Sequence, residues 1–146
     1  MCIRGSIKSL TLLNDAFIFE GIIKQGERFD VSVCNPPFHA SAEEALKTHQ
    51  QKQHNLKLKT NKPTLNFGGS AAELWCNGGE KLFLKKMIRE SQAFAEQCRW
   101  FTSLVSKIEN VKPAIKLIQK LGATEVKQID MYQGNKITRI IAWTFN

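Results

Sequence analysis

Acidic residues are scarce in this chain of 146 residues: 13 Asp and Glu face 21 Lys and Arg, a formal net charge of +8. The deficit is uneven, because residues 1–40 are balanced whereas twelve basic and five acidic side chains lie from Lys81 onward. A polyanion is the expected partner of the carboxyl-terminal half, with nucleic acid ahead of an anionic membrane surface, although the same excess also serves plain solubility. Cys2, Cys34, Cys76 and Cys98 lack the close paired spacing of a zinc site, and nothing else suggests a disulfide scaffold. They read as free thiols in a reducing compartment. No apolar run approaches membrane-spanning length, and the apolar residues around Ile7 to Leu13 lack a following cleavage site. The expectation is a soluble cytoplasmic protein with no membrane partner. His49 and His54 have no cysteine or acid at metal-ligand spacing, so no metal is expected. No glycine-rich strand-to-helix loop precedes Asp30, since Gly5 is isolated and Gly21 and Gly26 lack the required context.

What is present fits one domain spanning residues 1–146. Residues 7–13 suggest a short strand, and Ala16 to Ile23 a helix with Phe17, Ile18 and Ile22 inward. Phe29 to Cys34 reads as a strand in which Phe29, Val31 and Val33 share a face. Ser41 with Glu44 forms a capping box opening a short helix to Lys47. Thr48 to Pro63 is polar and lysine-rich, an exposed arm, and glycine pairs follow at Gly68-Gly69 and Gly78-Gly79. Residues 41–79 thus form a basic, glycine-containing insertion. Helical periodicity then covers Glu80 to Ala95, a buried strand Trp100 to Val105, and a second helix Val111 to Leu121 ended by Gly122. Thr124 to Met131 and Lys136 to Phe145 alternate as a closing hairpin, with Arg139 on the face of Ile137 and Ile141. This order predicts a layered α/β domain with an antiparallel element at its end.

Asn35-Pro36-Pro37-Phe38 follows the first of these strands. Each proline fixes φ and removes an amide donor, so the strand stops there. Asn35 then presents an amide oxygen and an amide nitrogen, and Phe38 an apolar face on which a ring can stack. In α/β sheets ligands sit beyond the carboxyl ends of parallel strands, where this tetrad falls. The chemistry that fits is transfer to an exocyclic amine of a nucleobase: the Asn35 oxygen and Pro36 carbonyl accept from the amine while Phe38 stacks on the base. The plain alternative is a strand-ending turn with a buried phenylalanine. His39 adjoins the tetrad, where it could contact substrate or shape the pocket, although a lone histidine beside a turn is more often structural. Lys47, Lys52, Lys57, Lys59 and Lys62 form an arm able to follow phosphates, a solvated loop being the alternative, and Trp75 with Asn66 to Gly69 is a candidate floor or lid for the base, a core role being the alternative. Arg99 to Ser103 and Ser106 are expected around the carboxyl end of the next strand, with Trp100 and Phe101 in the core.

Asp30 to His39 resembles the catalytic strand and loop of the bacterial 23S ribosomal RNA adenine-N6 methyltransferases, relatives of the METTL16-like RNA methyltransferases. Leu65 to Gly69, Glu73 to Cys76, Gly78-Gly79-Glu80, Lys85 to Ile88, Trp100 to Ser106 and Ile141 to Phe145 resemble the family's later blocks in the same order. The resemblance covers about residues 17 to 146 and implies a partial Rossmann-like class I methyltransferase sheet with an antiparallel last strand. Phe29 to Cys34 would be its fourth strand and Lys136 to Phe145 its last. It further implies S-adenosyl-L-methionine as cofactor, an adenine of 23S ribosomal RNA as substrate, and Asn35, Pro36, Pro37 and Phe38 as the catalytic motif.

The family pattern begins with an early strand, a glycine-rich loop and an acidic residue that have no counterpart before Asp30. The resemblance therefore implies the carboxyl-terminal portion of such an enzyme, with an open apolar sheet edge and little activity alone unless a separate amino-terminal fragment completes it. Two other readings stay open: a noncatalytic RNA-binding remnant, and a DNA or protein amino-group methyltransferase sharing the tetrad.

Overall fold

A computed structural model describes residues 17–36 and 79–146. Its elements are β1 (Phe29–Cys34), α1 (Gly79–Ala93), β2 (Cys98–Val105), a 3-10 turn (Ile108–Asn110), α2 (Val111–Lys120), β3 (Glu125–Gln133) and β4 (Lys136–Thr144). They build a four-stranded mixed sheet in the order β1-β2-β4-β3. β1 and β2 are parallel, as a crossover through α1 requires, and β4 runs antiparallel to both β2 and β3. The expected strand from residue 7 to 13, the capping box at Ser41 and the arm from Thr48 to Pro63 lie outside the described residues.

Cross-strand register decides which side chains meet the helices. Ser32, Phe101 and Trp143 are aligned across β1, β2 and β4, so Phe101, Ser103, Val105, Ile141 and Trp143 project to one face. The buried stripe Phe83, Leu84, Met87, Ile88 and Ser91 of α1 joins these residues in the core, together with Val111, Ala114 and Ile118 of α2. Phe101 stacks on Trp143 with ring centroids 5.9 Å apart, and Phe19 meets Phe101 edge-on at 5.4 Å. α2 ends where Gly122 takes φ +89°, with Gly122 N–H donating to Gln119 and Ala123 N–H to Ile118. These are the two bonds of a Schellman cap. The hairpin turns at Gly134-Asn135, where Gly134 has φ +58° and Asn135 does not share a positive φ, the pattern of a type II′ turn.

Two sequence expectations change. Residues 17–23 form turns and no helix. The carboxylate of Glu90 accepts the amides of Ile18, Phe19 and Glu20 at 2.8, 2.6 and 2.6 Å, and Gly21 takes φ +78°, which ends any helical course. Ile18 and Phe19 are buried while Phe17 is exposed. Phe29, Val31 and Val33 do share a face, yet only Phe29 packs against the core: Val31 is 50% and Val33 81% exposed, on the side away from the helices. No strand pairs with the outer edge of β1 among the described residues.

Candidate active site

Because β1 and β2 are parallel, their carboxyl ends lie side by side, with Cys34 opposite Ser103. Thr102 Oγ1 donates to the Ser32 carbonyl at 2.7 Å and ties the two strands just before that edge. Burial pushes the Cys34 thiol up to about 12, against a hydrogen bond from Ser103 that acts the other way. The thiol is neutral at pH 7 and no nucleophile. The chain then leaves the sheet: Asn35 is exposed and Pro36 is buried. Asn35 carries a donor and an acceptor on one amide, and among the described residues no group hydrogen-bonds that side chain. Pro37, Phe38 and His39 lie outside the described residues, as do Lys47, Lys52, Lys57, Lys59, Lys62 and Trp75.

The most tightly built feature of this edge is a carboxylate. Glu80 stands in the first turn of α1, only 2% exposed. Its Oε2 accepts from Ser106 N–H at 3.0 Å and Ser106 Oγ at 2.5 Å, and its Oε1 from Lys107 N–H at 3.2 Å and Asn110 Nδ2 at 2.9 Å. Desolvation, the largest single influence, raises its pKa, but the donors from Ser106, Asn110 and Lys107 together outweigh it and the net shift is downward. Glu80 is therefore ionised and fully engaged. It clamps the start of α1, the end of β2 and the entry to α2 into one block. Sequence reading placed Glu80 in a family block without a role; its signal was an acid in the first turn directly after Gly78-Gly79.

Other candidates disperse. Ser106 is at the carboxyl edge, Ser103 is buried against β1, and Phe101 is core. Arg99 and Trp100 sit instead in the amino-terminal half of β2, because the strand begins at Cys98. Arg99 lines a shallow depression of about 420 Å³ at the opposite edge with Arg28, Asp30 and Glu96. Lys127 Nζ lies 5.2 Å from the centre of the Trp100 ring. Arg139 is opposite Asp130 in the hairpin and Val105 on β2. Among the described residues no group of three or more His, Cys, Asp or Glu could hold a metal, and no described helix is long and apolar enough to cross a membrane.

An RNA methyltransferase family model matches residues 2–146. The chain belongs to this RNA methyltransferase family. It is 68% identical over 137 residues to the ribosomal RNA large subunit methyltransferase F of Saccharophagus degradans, covering 90% of this chain and 42% of that relative. It is 53% identical over 150 residues to the protein of the same name from Shewanella sp. strain ANA-3, covering 99% and 41%. The chain thus spans well under half the length of these relatives. Among solved structures, the crystal structure of the hMettl16 catalytic domain in complex with MAT2A 3'UTR hairpin 1 superposes with a TM-score of 0.62 at 25% identity, covering 92% of this chain and 43% of that one. The human methyltransferase 10 domain containing protein has the same fold, with a TM-score of 0.61 at 19% identity. The mixed sheet with its antiparallel β4 is accordingly part of the sheet of a class I methyltransferase fold, as the family expectation required.

Proposed function

We propose that this chain supplies the target-base side of an S-adenosyl-L-methionine-dependent methyltransferase acting on the N6 amine of an adenine in 23S ribosomal RNA. The observation that carries the reading is Asn35, exposed just beyond the carboxyl end of β1 in a chain of the RNA methyltransferase family. Two of the relatives are named for ribosomal RNA methylation, which supports ribosomal RNA as the substrate over DNA or protein.

In this reading the Asn35 amide oxygen and the Pro36 carbonyl accept the two amine hydrogens, holding the nitrogen lone pair outward, and Phe38 stacks on the base. The cofactor supplies an electrophilic methyl group. The amine becomes positively charged as it is methylated and then loses its proton readily, so no strong base is needed. Glu80, the buried carboxylate of this edge, is accordingly free to serve as a clamp. The described residues fit the base-holding side; they do not fit a cradle for the methionine and ribose, because Glu80 already accepts from Ser106, Lys107 and Asn110. That cradle is assigned to the part of the relatives beyond the matched span.

Val31 and Val33, exposed on the face of β1 away from the helices, and an outer edge of β1 with no partner strand among the described residues support completion of the sheet and its covering layer by further polypeptide, such as a separate amino-terminal fragment. The basic insertion, with Lys47, Lys52, Lys57, Lys59, Lys62 and Trp75, is assigned to RNA binding, and the reaction to the cytoplasm. The same open edge favours one second reading, a noncatalytic RNA-binding remnant. Transfer of labelled methyl to unmethylated large-subunit RNA decides between them, using this chain alone and with the remaining portion of a relative added. Activity that arises on addition supports the methyltransferase; a folded complex that binds RNA and transfers no methyl favours the remnant.

A further inference from the structure

β2 and β4 pair from Phe101 opposite Trp143 to Val105 opposite Arg139, and there β2 ends. β3 and β4 continue past that point, through Met131 opposite Thr138 to Gln133 opposite Lys136. Three further residue pairs plus the Gly134-Asn135 turn therefore stand beyond the four-stranded sheet, a ribbon about 10 Å long. Strand direction fixes where it projects. β3 runs parallel to β1 and β2, so the turn lies at the carboxyl edge, where Asn35 also lies. β4 is two and β3 three strand spacings from β1, which puts the base of the ribbon about 10 to 14 Å to the side of Asn35.

The ribbon carries an unusual side-chain pair for so exposed a place. Tyr132 and Ile137 are directly opposite each other and share a face, and they are 72% and 45% exposed. A cross-strand aromatic and β-branched pair presents one continuous apolar surface. Exposed Lys136 is at the same tip, and the chain as a whole carries a charge of +8. Ile108, in the 3-10 turn after β2, is a further exposed apolar side chain at this edge.

We propose that the β3–β4 ribbon is an RNA-contact element in which Tyr132, backed by Ile137, stacks on an unpaired base flanking the target nucleotide, while Lys136 meets the adjoining phosphate. This deepens the RNA-methyltransferase reading and rests on it. An RNA strand reaches a methyl-acceptor pocket only with its bases unstacked, and an unstacked neighbour needs a replacement surface. A rigid aromatic on a two-stranded ribbon supplies one at little entropic cost.

Tyr132 is the sole tyrosine of the chain, which makes the test direct. Binding of the full chain to unmethylated large-subunit ribosomal RNA is measured at fixed salt, with thermal unfolding recorded for every variant. Tyr132→Ala is expected to weaken binding roughly 5- to 150-fold, the worth of one base stack, and Tyr132→Phe to retain it. Lys136→Ala is expected to lower the salt dependence by about one counterion. Ultraviolet crosslinking should yield an RNA adduct on the peptide containing Tyr132. Unchanged affinity for Tyr132→Ala, or an equal loss in Tyr132→Phe, overturns the stacking role. The two readings fail separately: RNA binding through Tyr132 without methyl transfer removes only the enzyme reading, and methyl transfer with full Tyr132→Ala affinity removes only this one.

Discussion

Glu80 Oε1 and Asn110 Nδ2 lie 2.9 Å apart across thirty residues of sequence, inside a block that also fixes Ser106 and Lys107. One ionised side chain thus joins the beginnings of both helices to the end of β2. It holds the edge from which Asn35 projects.

Replacing Glu80 by Gln keeps the size but turns an amide NH2 toward donors that need an acceptor. A loss of about 2–4 kcal/mol in unfolding free energy is expected, read by urea denaturation at pH 7. The loss should be pH-dependent. The folded-state pKa is lowered, so the carboxylate's contribution is complete above its unfolded value of about 4.3 and disappears as pH falls through the lower folded value. The gap between parent and Glu80→Gln should therefore narrow below about pH 4; a constant gap down to pH 3 contradicts the assignment.

Trp143 Nε1 donates to Ser91 Oγ at 2.9 Å, and Ser91 Oγ donates to the Ile88 carbonyl at 2.7 Å. All three residues are buried. Ser91→Ala leaves the indole N–H without its acceptor, at a cost of about 1–3 kcal/mol, and should lower the midpoint of thermal unfolding. An unchanged midpoint would show that the indole finds another partner.

Cys34 adjoins the tetrad, yet burial holds its thiol near 12. Its alkylation by iodoacetamide at pH 8 is expected to be far slower than that of a peptide cysteine, and to speed up on denaturation. Rapid modification of the folded chain would mean that Cys34 is not desolvated.

Periodic elements were legible in the sequence because their information is local. The stripe Phe83, Leu84, Met87, Ile88 and Ser91 announces α1, and the alternation from Ile137 to Phe145 announces β4. Gly122 and Gly134 mark a helix cap and a turn by the positive φ that each adopts. What failed was long-range. Nothing local tells residues 17–23 that Glu90, about seventy positions away, will take their amides. β1 shows which residues share a face, but which face meets the helices is set by the register of Ser32 against Phe101. The apolar run from Trp100 points to a strand starting there, but the strand begins two residues earlier, at Cys98, which leaves Arg99 and Trp100 at its amino-terminal end. At the site, Asn35 was readable as the residue leaving a strand, whereas the partners of Glu80 lie 26 to 30 positions away and were not. Pro37, Phe38 and the lysine arm lie outside the described residues.

The central claim is that Asn35 holds an adenine amine for methylation, and one measurement bears on it most directly. Methyl transfer from labelled S-adenosyl-L-methionine to unmethylated large-subunit RNA is followed with the sheet completed by a relative's remaining portion, and the product nucleoside is identified by mass spectrometry. The account predicts N6-methyladenosine, with a rate lowered roughly 100-fold or more in Asn35→Ala while RNA affinity is largely kept. Full activity in Asn35→Ala, or a different methylated nucleoside, would contradict it.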